Sequence, residues 1–238
     1  MAEQWEYRAV LAVDIEKSSG RGNVPLLRNR ETLRSVLRTA CARAGVDWTA
    51  CPRADLGDGL LLAAPAGTRK ANLLHPLVRD LAGLLTDHNA AARDDATRIR
   101  VRLALHAGEI CLTPGGEVAG SPLETLARLL DAPAAREALA SAPGTVPLAL
   151  LMSQHFYDDT VRHGYDGIDP GQFHQVDVKV KELATQAWLH TPGWTPARPK
   201  PPAARPDGSA TMTNTASHGG AVYANQNGDQ HITVTRGS

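Results

Sequence analysis

The sequence has 238 residues, of which 42% are hydrophobic and 21% are charged, which is enough to bury one core of globular size. Its 25 basic and 25 acidic side chains give a formal net charge of +0, which excludes a general attraction to nucleic acid or to anionic membranes. The three cysteines are widely spaced, the N-terminus lacks a signal-peptide pattern, and no apolar run reaches the roughly 20 residues of a membrane-spanning helix. We therefore expect a reduced, soluble, cytoplasmic protein with no nucleic-acid or membrane partner.

Strand-like and helix-like patterns alternate between residues 5 and 190. The apolar run 7–15 predicts a first strand, and residues 25–45 predict a helix that ends at Gly45. The remaining predicted elements are, in chain order, a hairpin around 56–59 with Asp58 in its turn, a helix over 70–92, a strand over 98–110, a helix over at least the first half of 121–144, a strand over 146–153, a short helix over 154–164 and a hairpin over 173–190. Alternation within the strand 98–110 predicts that Arg98, Arg100 and Arg102 face outward. This order predicts an α+β sandwich with the helices on one face of a largely antiparallel sheet.

Two aspartates occupy unusual places in this pattern. Asp14 lies at the end of the first apolar strand, and Asp58 lies in the turn of the hairpin. If these strands are neighbours, two carboxylates at matching ends can share divalent cations such as Mg²⁺ or Mn²⁺, as in two-metal phosphoryl chemistry. In the alternative interpretation, Asp14 caps the following segment and Asp58 forms a turn, because Gly-Asp-Gly favours turns by itself. The residues alone leave both interpretations open.

Five segments together resemble a known family. The chain is similar, in the order and spacing of these segments, to the catalytic domain of class III adenylyl and guanylyl cyclases, and most of all to an actinobacterial branch. The segments are AVLAVDIEKSS, LGDGLLLAAP, RIRVRLALHAGE, GSPLETLARLLDAP and VKVKELATQAWLH, and the similarity spans residues 5–190. It implies a ferredoxin-like sandwich that works as a head-to-tail homodimer with shared active sites. The implied reaction converts a nucleoside triphosphate into a 3′,5′-cyclic nucleotide and pyrophosphate.

The resemblance also implies roles for particular residues. The implied metal ligands are Asp14, Asp58 and the backbone carbonyl of Ile15. The implied phosphate-binding loop contains Ser18, Ser19 and Gly20, where small residues let backbone N–H groups approach anionic oxygens. From the second protomer, Arg128 would stabilise charge at the transferring phosphorus, and Lys181 would hold the terminal phosphates.

Four positions, Leu123, Glu124, Ala54 and Glu182, depart from the family pattern. Glu124 replaces the asparagine that orients the ribose, and a carboxylate near a polyphosphate is repelled unless a cation intervenes. Ala54 replaces the lysine that recognises the base, whose usual acidic partner aligns with Glu117. Glu182 replaces the glycine that normally follows the phosphate lysine. The sequence therefore does not identify which nucleobase the domain would bind or whether the domain is catalytically active.

The composition changes near residue 191. Residues 191–209 are rich in proline and predict an extended, semi-rigid linker between a domain over 1–190 and a tail over 210–238. The tail contains GGAVYANQNGDQHITV, in which apolar and Asn/Gln residues alternate in a way that favours stacked strands. It resembles bacterial amyloid-signalling motifs, which would recruit a protein partner. The composition equally allows a disordered tail without a defined partner.

Two classes of function remain open at this point. The first is a nucleotide cyclase, which Asp14, Asp58, Arg128 and Lys181 favour. The second is a non-catalytic cyclase-like module whose tail carries the function, which Glu124 favours.

Overall fold

A computed structural model describes residues 3–113, 115, 117–181 and 183–195. The strands are β1 (Gln4–Ile15), β2 (Arg53–Asp55), β3 (Gly59–Ala63), β4 (Val101–Leu112), β5 (Val118–Ala119), β6 (Leu148–Ser153), β7 (His174–Val180) and β8 (Leu183–His190). The helices are α1 (Asn23–Arg43), α2 (Arg79–Ala91), α3 (Ser121–Asp131), α4 (Pro133–Ser141) and α5 (Gln154–Asp159). The element order and types confirm the predicted α+β architecture.

All strands in the described part of the chain belong to one sheet of eight strands. Its order is β2-β3-β1-β4-β6-β8-β7, with the short β5 beside β4. Only the β4–β6 pair is parallel among the described strands, and the two predicted hairpins are the antiparallel pairs β2–β3 and β7–β8. The two longest strands, β1 and β4, lie side by side at the centre, so the residues at the end of β1 have a neighbouring strand on each side.

The helices cover both faces of the sheet, so the prediction of one covered face was wrong. Leu11 and Val13 pack in one apolar cluster with α1 and α2, whereas Val10 and Ala12 pack in a second cluster with α3 and α4. The physical reason lies in β1 itself, in which seven consecutive residues are buried. A strand that is apolar on both sides needs a layer on each face.

Two helical segments are interrupted at prolines. The segment predicted as one helix over 70–92 begins with two short helical turns, Lys70–Leu73 and Leu74–Val78, and α2 starts only at Arg79. His75, which precedes Pro76, has an extended backbone within that segment. The segment that starts at residue 121 forms α3 over its first half, as predicted, and α4 is a separate helix because Ala132 is extended before Pro133.

Most of the predicted linker and the whole tail lie outside the described residues. Within 191–195, Thr191 is buried and Trp194 packs against the cluster under α3 and α4. Among the described residues, no helix is both long enough and apolar enough to cross a membrane.

Candidate functional site

The end of β1 packs closely against the start of β3, and a glycine makes this contact possible. Gly59 lies directly opposite Asp14, and a Cβ atom at Gly59 would lie 2.2 Å from the carbonyl oxygen of Val13. A residue with a side chain would therefore push the hairpin away from β1. The backbone N–H of Ile15 donates to the carbonyl of Asp58 at 3.3 Å, which fixes the turn beside the strand end. The structure thus brings together the three residues that the sequence suggested as metal ligands.

The carboxylate of Asp14 is buried and paired with an arginine that sequence reasoning missed. Arg102 lies opposite Asp14 in the β1–β4 register. Its Nε donates to Oδ1 of Asp14 at 2.9 Å and its Nη2 donates to Oδ2, so both oxygens accept from one guanidinium. The pairing could have been found from the sequence only if the register of β1 and β4 had been known.

The prediction that three arginines face outward was wrong for two of them. Arg98 is exposed, but the side chain of Arg102 is only 14% exposed. Arg102 lies on the same side of β4 as Ala104, which belongs to the cluster under α3 and α4. Arg100 is also covered, and its Nε donates to the carbonyl of Val146 at 3.0 Å. Alternation correctly placed the side chains of Arg100 and Arg102 on the same side of the chain. Helices cover that side, so the two side chains are not exposed to solvent.

Negative charge is concentrated around this pair. Burial raises the pKa of Asp14, and the guanidinium of Arg102 opposes the rise. The carboxylates of Asp58 and Asp131 add to the rise of this pKa, which places both charges close enough to act on Asp14. Asp131, at the end of α3, was not singled out in the sequence. Asp58 and Asp131 thus add negative charge near the Asp14–Arg102 pair.

These groups fit a hard divalent cation. Carboxylate and carbonyl oxygens are the ligands that Mg²⁺ prefers, and Asp14, Asp58 and the carbonyl of Ile15 would supply them. In the described part of the chain, no group of three His, Cys, Asp or Glu side chains is arranged to hold a metal. An ion here would therefore depend on two carboxylates, a backbone oxygen, water and the ligand's own phosphate oxygens.

The loop after β1 is held in one shape by another arginine that the sequence did not single out. Arg21 donates from Nη2 to the carbonyl of Glu16 and from Nε to the carbonyl of Lys17, both at 2.8 Å, and from Nη1 to the carbonyl of Arg98. Lys17 has a left-handed backbone with φ 51°. The guanidinium thus donates hydrogen bonds to the carbonyl oxygens of a tightly turned loop, and it links this loop to the segment before β4.

The loop also contacts the second aspartate. Ser18 is buried and its hydroxyl donates to Oδ2 of Asp58. Ser19 and Gly20 are exposed, and Gly20 has φ 82°. Of the three predicted phosphate-binding residues, Ser18 therefore contacts the aspartate cluster directly, and Ser19 and Gly20 face solvent beside it.

The neighbours of Ala54 do not substitute for the missing lysine. Ala54 is exposed on the edge strand β2. Arg53 donates to the carbonyl of Cys51 at 3.0 Å, and the carboxylate of Asp55 accepts from Arg30 at 2.8 Å and also from Arg34. Because both flanking side chains are bound to their own protomer, β2 presents only a methyl group at the predicted base-recognition position.

The remaining predicted residues are distributed over other elements. Glu117 is exposed before β5, and Glu124 is exposed in the first turn of α3. Arg128 lies in the last turn of α3, one turn before Asp131. Glu182 lies outside the described residues.

Lys181 is separated from the aspartates within one chain. It lies in the turn between β7 and β8, with φ 52°, and β7 is four strands away from β1 in the sheet. At about 4.8 Å per strand this amounts to roughly 19 Å. The structure therefore does not bring Lys181 to Asp14 in a single chain.

Comparison with solved structures identifies the fold of this chain. No protein-family model matches the sequence, and no curated protein matches it. The guanylyl cyclase Cya2 matches with a TM-score of 0.55 at 13% identity, over 79% of this chain and 92% of that chain. The chain has the fold of a nucleotide cyclase catalytic domain. This confirms the predicted fold class, and identities this low establish the fold alone.

This chain is also similar to two further solved structures of cyclases. The adenylyl cyclase CyaB from P. aeruginosa matches with a TM-score of 0.51 at 13% identity, over 79% of this chain and 95% of that chain. The guanylate cyclase domain of RhGC from Catenaria anguillulae, solved in complex with GTP, matches with a TM-score of 0.50 at 15% identity, over 80% of this chain and 98% of that chain.

Proposed function

We propose that the chain is a nucleotide cyclase, which converts a nucleoside triphosphate into a 3′,5′-cyclic nucleotide and pyrophosphate. The observation that carries this proposal is the meeting of Asp14 and Asp58, which depends on the close approach of Gly59 to β1. A turn-forming aspartate alone would not require this approach. The cyclase fold and the GTP complex of one structural neighbour support the same reaction.

The reaction forms a bond between the ribose 3′-oxygen and the α-phosphorus and breaks the bond from that phosphorus to the leaving pyrophosphate. The hydroxyl proton passes to solvent. Asp14, Asp58 and the carbonyl of Ile15 would hold Mg²⁺ or Mn²⁺, which supplies positive charge at the attacking and leaving oxygens. The loop held by Arg21 would direct backbone N–H groups at the phosphates and exclude water below them.

The active site is proposed to be shared between two copies of this chain. Within one chain, Lys181 lies in the turn between β7 and β8, three to four strands away from β1 and not beside the two aspartates. A head-to-tail homodimer would bring Lys181 and Arg128 of one copy to Asp14 and Asp58 of the other. These two cations would then neutralise the charge that develops on the transferring phosphoryl group.

A second function is favoured by one observation. Glu124 is exposed on the first turn of α3, where it would repel a polyphosphate. A non-catalytic cyclase-like module could tolerate this carboxylate, and its tail over 210–238 would recruit a partner. The cytoplasmic location and the tail's partner remain predictions from the sequence.

Turnover of the full chain separates the two functions. The protein is incubated with ATP, GTP, CTP or UTP, each with Mg²⁺ or Mn²⁺, and the products are separated by chromatography and identified by mass. We expect one or more 3′,5′-cyclic nucleotides, and Asp58→Asn should remove them while the exposed Asp87→Asn leaves the yield unchanged. Absence of any cyclic nucleotide under all eight conditions would refute the cyclase and leave the non-catalytic module.

A further inference from the structure

Arg102 already supplies a positive charge at the proposed metal site. We propose that Arg102 is a resident cation that occupies Asp14 when no metal is bound, and that a divalent ion can bind only after the guanidinium has left this carboxylate. The inference rests on the proposed function only for the choice of Asp14 and Asp58 as metal ligands.

The geometry of the pair makes the two cations competitors. Arg102 donates to both oxygens of Asp14, one through Nε at 2.9 Å and one through Nη2. A magnesium ion needs a carboxylate oxygen at about 2.0–2.1 Å, which would bring it within a few ångströms of the guanidinium. Both groups of the pair are covered, so the repulsion between the two cations would be weakly screened.

The pair with Asp14 leaves one nitrogen of the Arg102 guanidinium unsatisfied. Among the described residues, Nη1 of Arg102 is buried and has no hydrogen-bond partner. A guanidinium has five N–H donors, and leaving a buried nitrogen unpaired costs free energy. Asp14 therefore satisfies only part of Arg102, which lowers the cost of moving the side chain when another cation replaces it.

The second aspartate remains open to an arriving ion. Asp58 accepts a hydrogen bond from the hydroxyl of Ser18, which is a neutral donor and adds no charge of its own. Asp131 adds a third negative charge near Asp14. A divalent ion can therefore be attracted to the cluster and contact Asp58 before it displaces Arg102 from Asp14.

Binding of Mn²⁺ alone tests the proposal without any nucleotide or turnover. The full chain is titrated with Mn²⁺, and the free ion is measured by its electron paramagnetic resonance signal. The variants are Arg102→Met, which removes the competing charge, and Arg102→Lys, which keeps the charge but cannot span both oxygens. Arg98→Met is the matched control, because it removes an exposed arginine from the same segment. Asp14→Asn identifies the site.

We expect Arg102→Met to lower the Kd for Mn²⁺ by about tenfold, which corresponds to the loss of one charge-assisted contact. Arg102→Lys should lower it by less, Arg98→Met should match wild type, and Asp14→Asn should abolish the tight site. If Arg102→Met does not fold, the smaller tightening in Arg102→Lys decides the question, because this variant keeps the buried charge.

Three results would overturn the proposal. They are equal affinity in wild type and both Arg102 variants, weaker binding when Arg102 is replaced, and no detectable Mn²⁺ binding in any variant. The proposed cyclase can fail separately, because a chain in which Mn²⁺ competes with Arg102 but which forms no cyclic nucleotide would refute the cyclase and retain this inference.

Discussion

Gly59 lies directly opposite Asp14 across the β1–β3 pair, and the space for a Cβ atom at Gly59 is filled by the backbone of β1. The position of Asp58 next to Asp14 thus depends on a glycine that carries no chemistry itself. The first prediction follows from this contact.

Replacing Gly59 by Ala should destabilise the fold and separate the two aspartates. The new Cβ would overlap the Val13 carbonyl, so the hairpin must shift, at a cost of about 1–3 kcal/mol. Urea denaturation measures the loss. Gly83→Ala is the control, because Gly83 is an exposed helix residue with open space around it, and this variant should gain up to about 1 kcal/mol. Equal stability of both variants would contradict the close approach.

Replacing Arg21 by Gln should loosen the loop after β1. The variant loses the hydrogen bonds to the carbonyls of Glu16, Lys17 and Arg98, so amide hydrogen exchange should increase in residues 16–22. The exposed Arg28→Gln on α1 should leave the exchange unchanged. Unchanged protection of residues 16–22 in Arg21→Gln would show that the loop is held by other contacts.

A mixing experiment tests the shared active site. Asp14→Ala and Arg128→Ala proteins should each be inactive, yet a mixture should regain activity, because one of the two sites in the mixed dimer keeps both groups. The rate of cyclic nucleotide formation is measured after subunit exchange has been verified with differently tagged chains. A mixture as inactive as its components would exclude a site built from two protomers.

His106 should make the fold acid-sensitive. Burial, with a further contribution from His155, lowers the pKa of His106 to about 4, and its Nδ1 lies 2.8 Å from the Ser153 hydroxyl. Because the unfolded chain binds the proton near pH 6.5 and the folded chain only near pH 4, stability should fall as the pH drops through this range. The loss is up to about 3 kcal/mol.

Denaturation at pH 7.5 and pH 4.5 measures this effect. Wild type should lose more stability between these pH values than His106→Asn, which cannot titrate. The exposed His163→Asn is the control and should behave as wild type. A pH dependence that is the same in all three proteins would refute the assignment to His106.

The tail prediction rests on the sequence, because residues 210–238 lie outside the described part of the chain. A peptide of these residues should form fibres with a strand spacing of roughly 4.7–4.8 Å, measured by fibre diffraction. Ile232→Pro should prevent assembly, since proline removes a ladder donor. A wild-type peptide that stays monomeric for days by light scattering would end the interaction-motif hypothesis.

Much of the fold was predictable because its patterns are local. The apolar run in 7–15 and the turn chemistry around Asp58 identified β1 and the β2–β3 hairpin, and these two elements bring Asp14 and Asp58 together. The interruption at Pro76 was missed, although proline disfavours a helical conformation in the residue before it. In that segment the prediction followed the apolar periodicity and gave too little weight to the proline.

The sequence by itself located β1 and β4 to within three residues at each end, and it predicted that Arg100 and Arg102 share one side of the chain. Only the tertiary structure decided that Asp14 pairs with Arg102, 88 residues further along the chain, and that Asp131 acts on the same carboxylate. The physical reason is that alternation fixes the side of a strand but not what covers it. Register, neighbouring strands and helix placement depend on contacts between distant segments, and these contacts turned an apparently outward arginine into the partner of the candidate metal ligand.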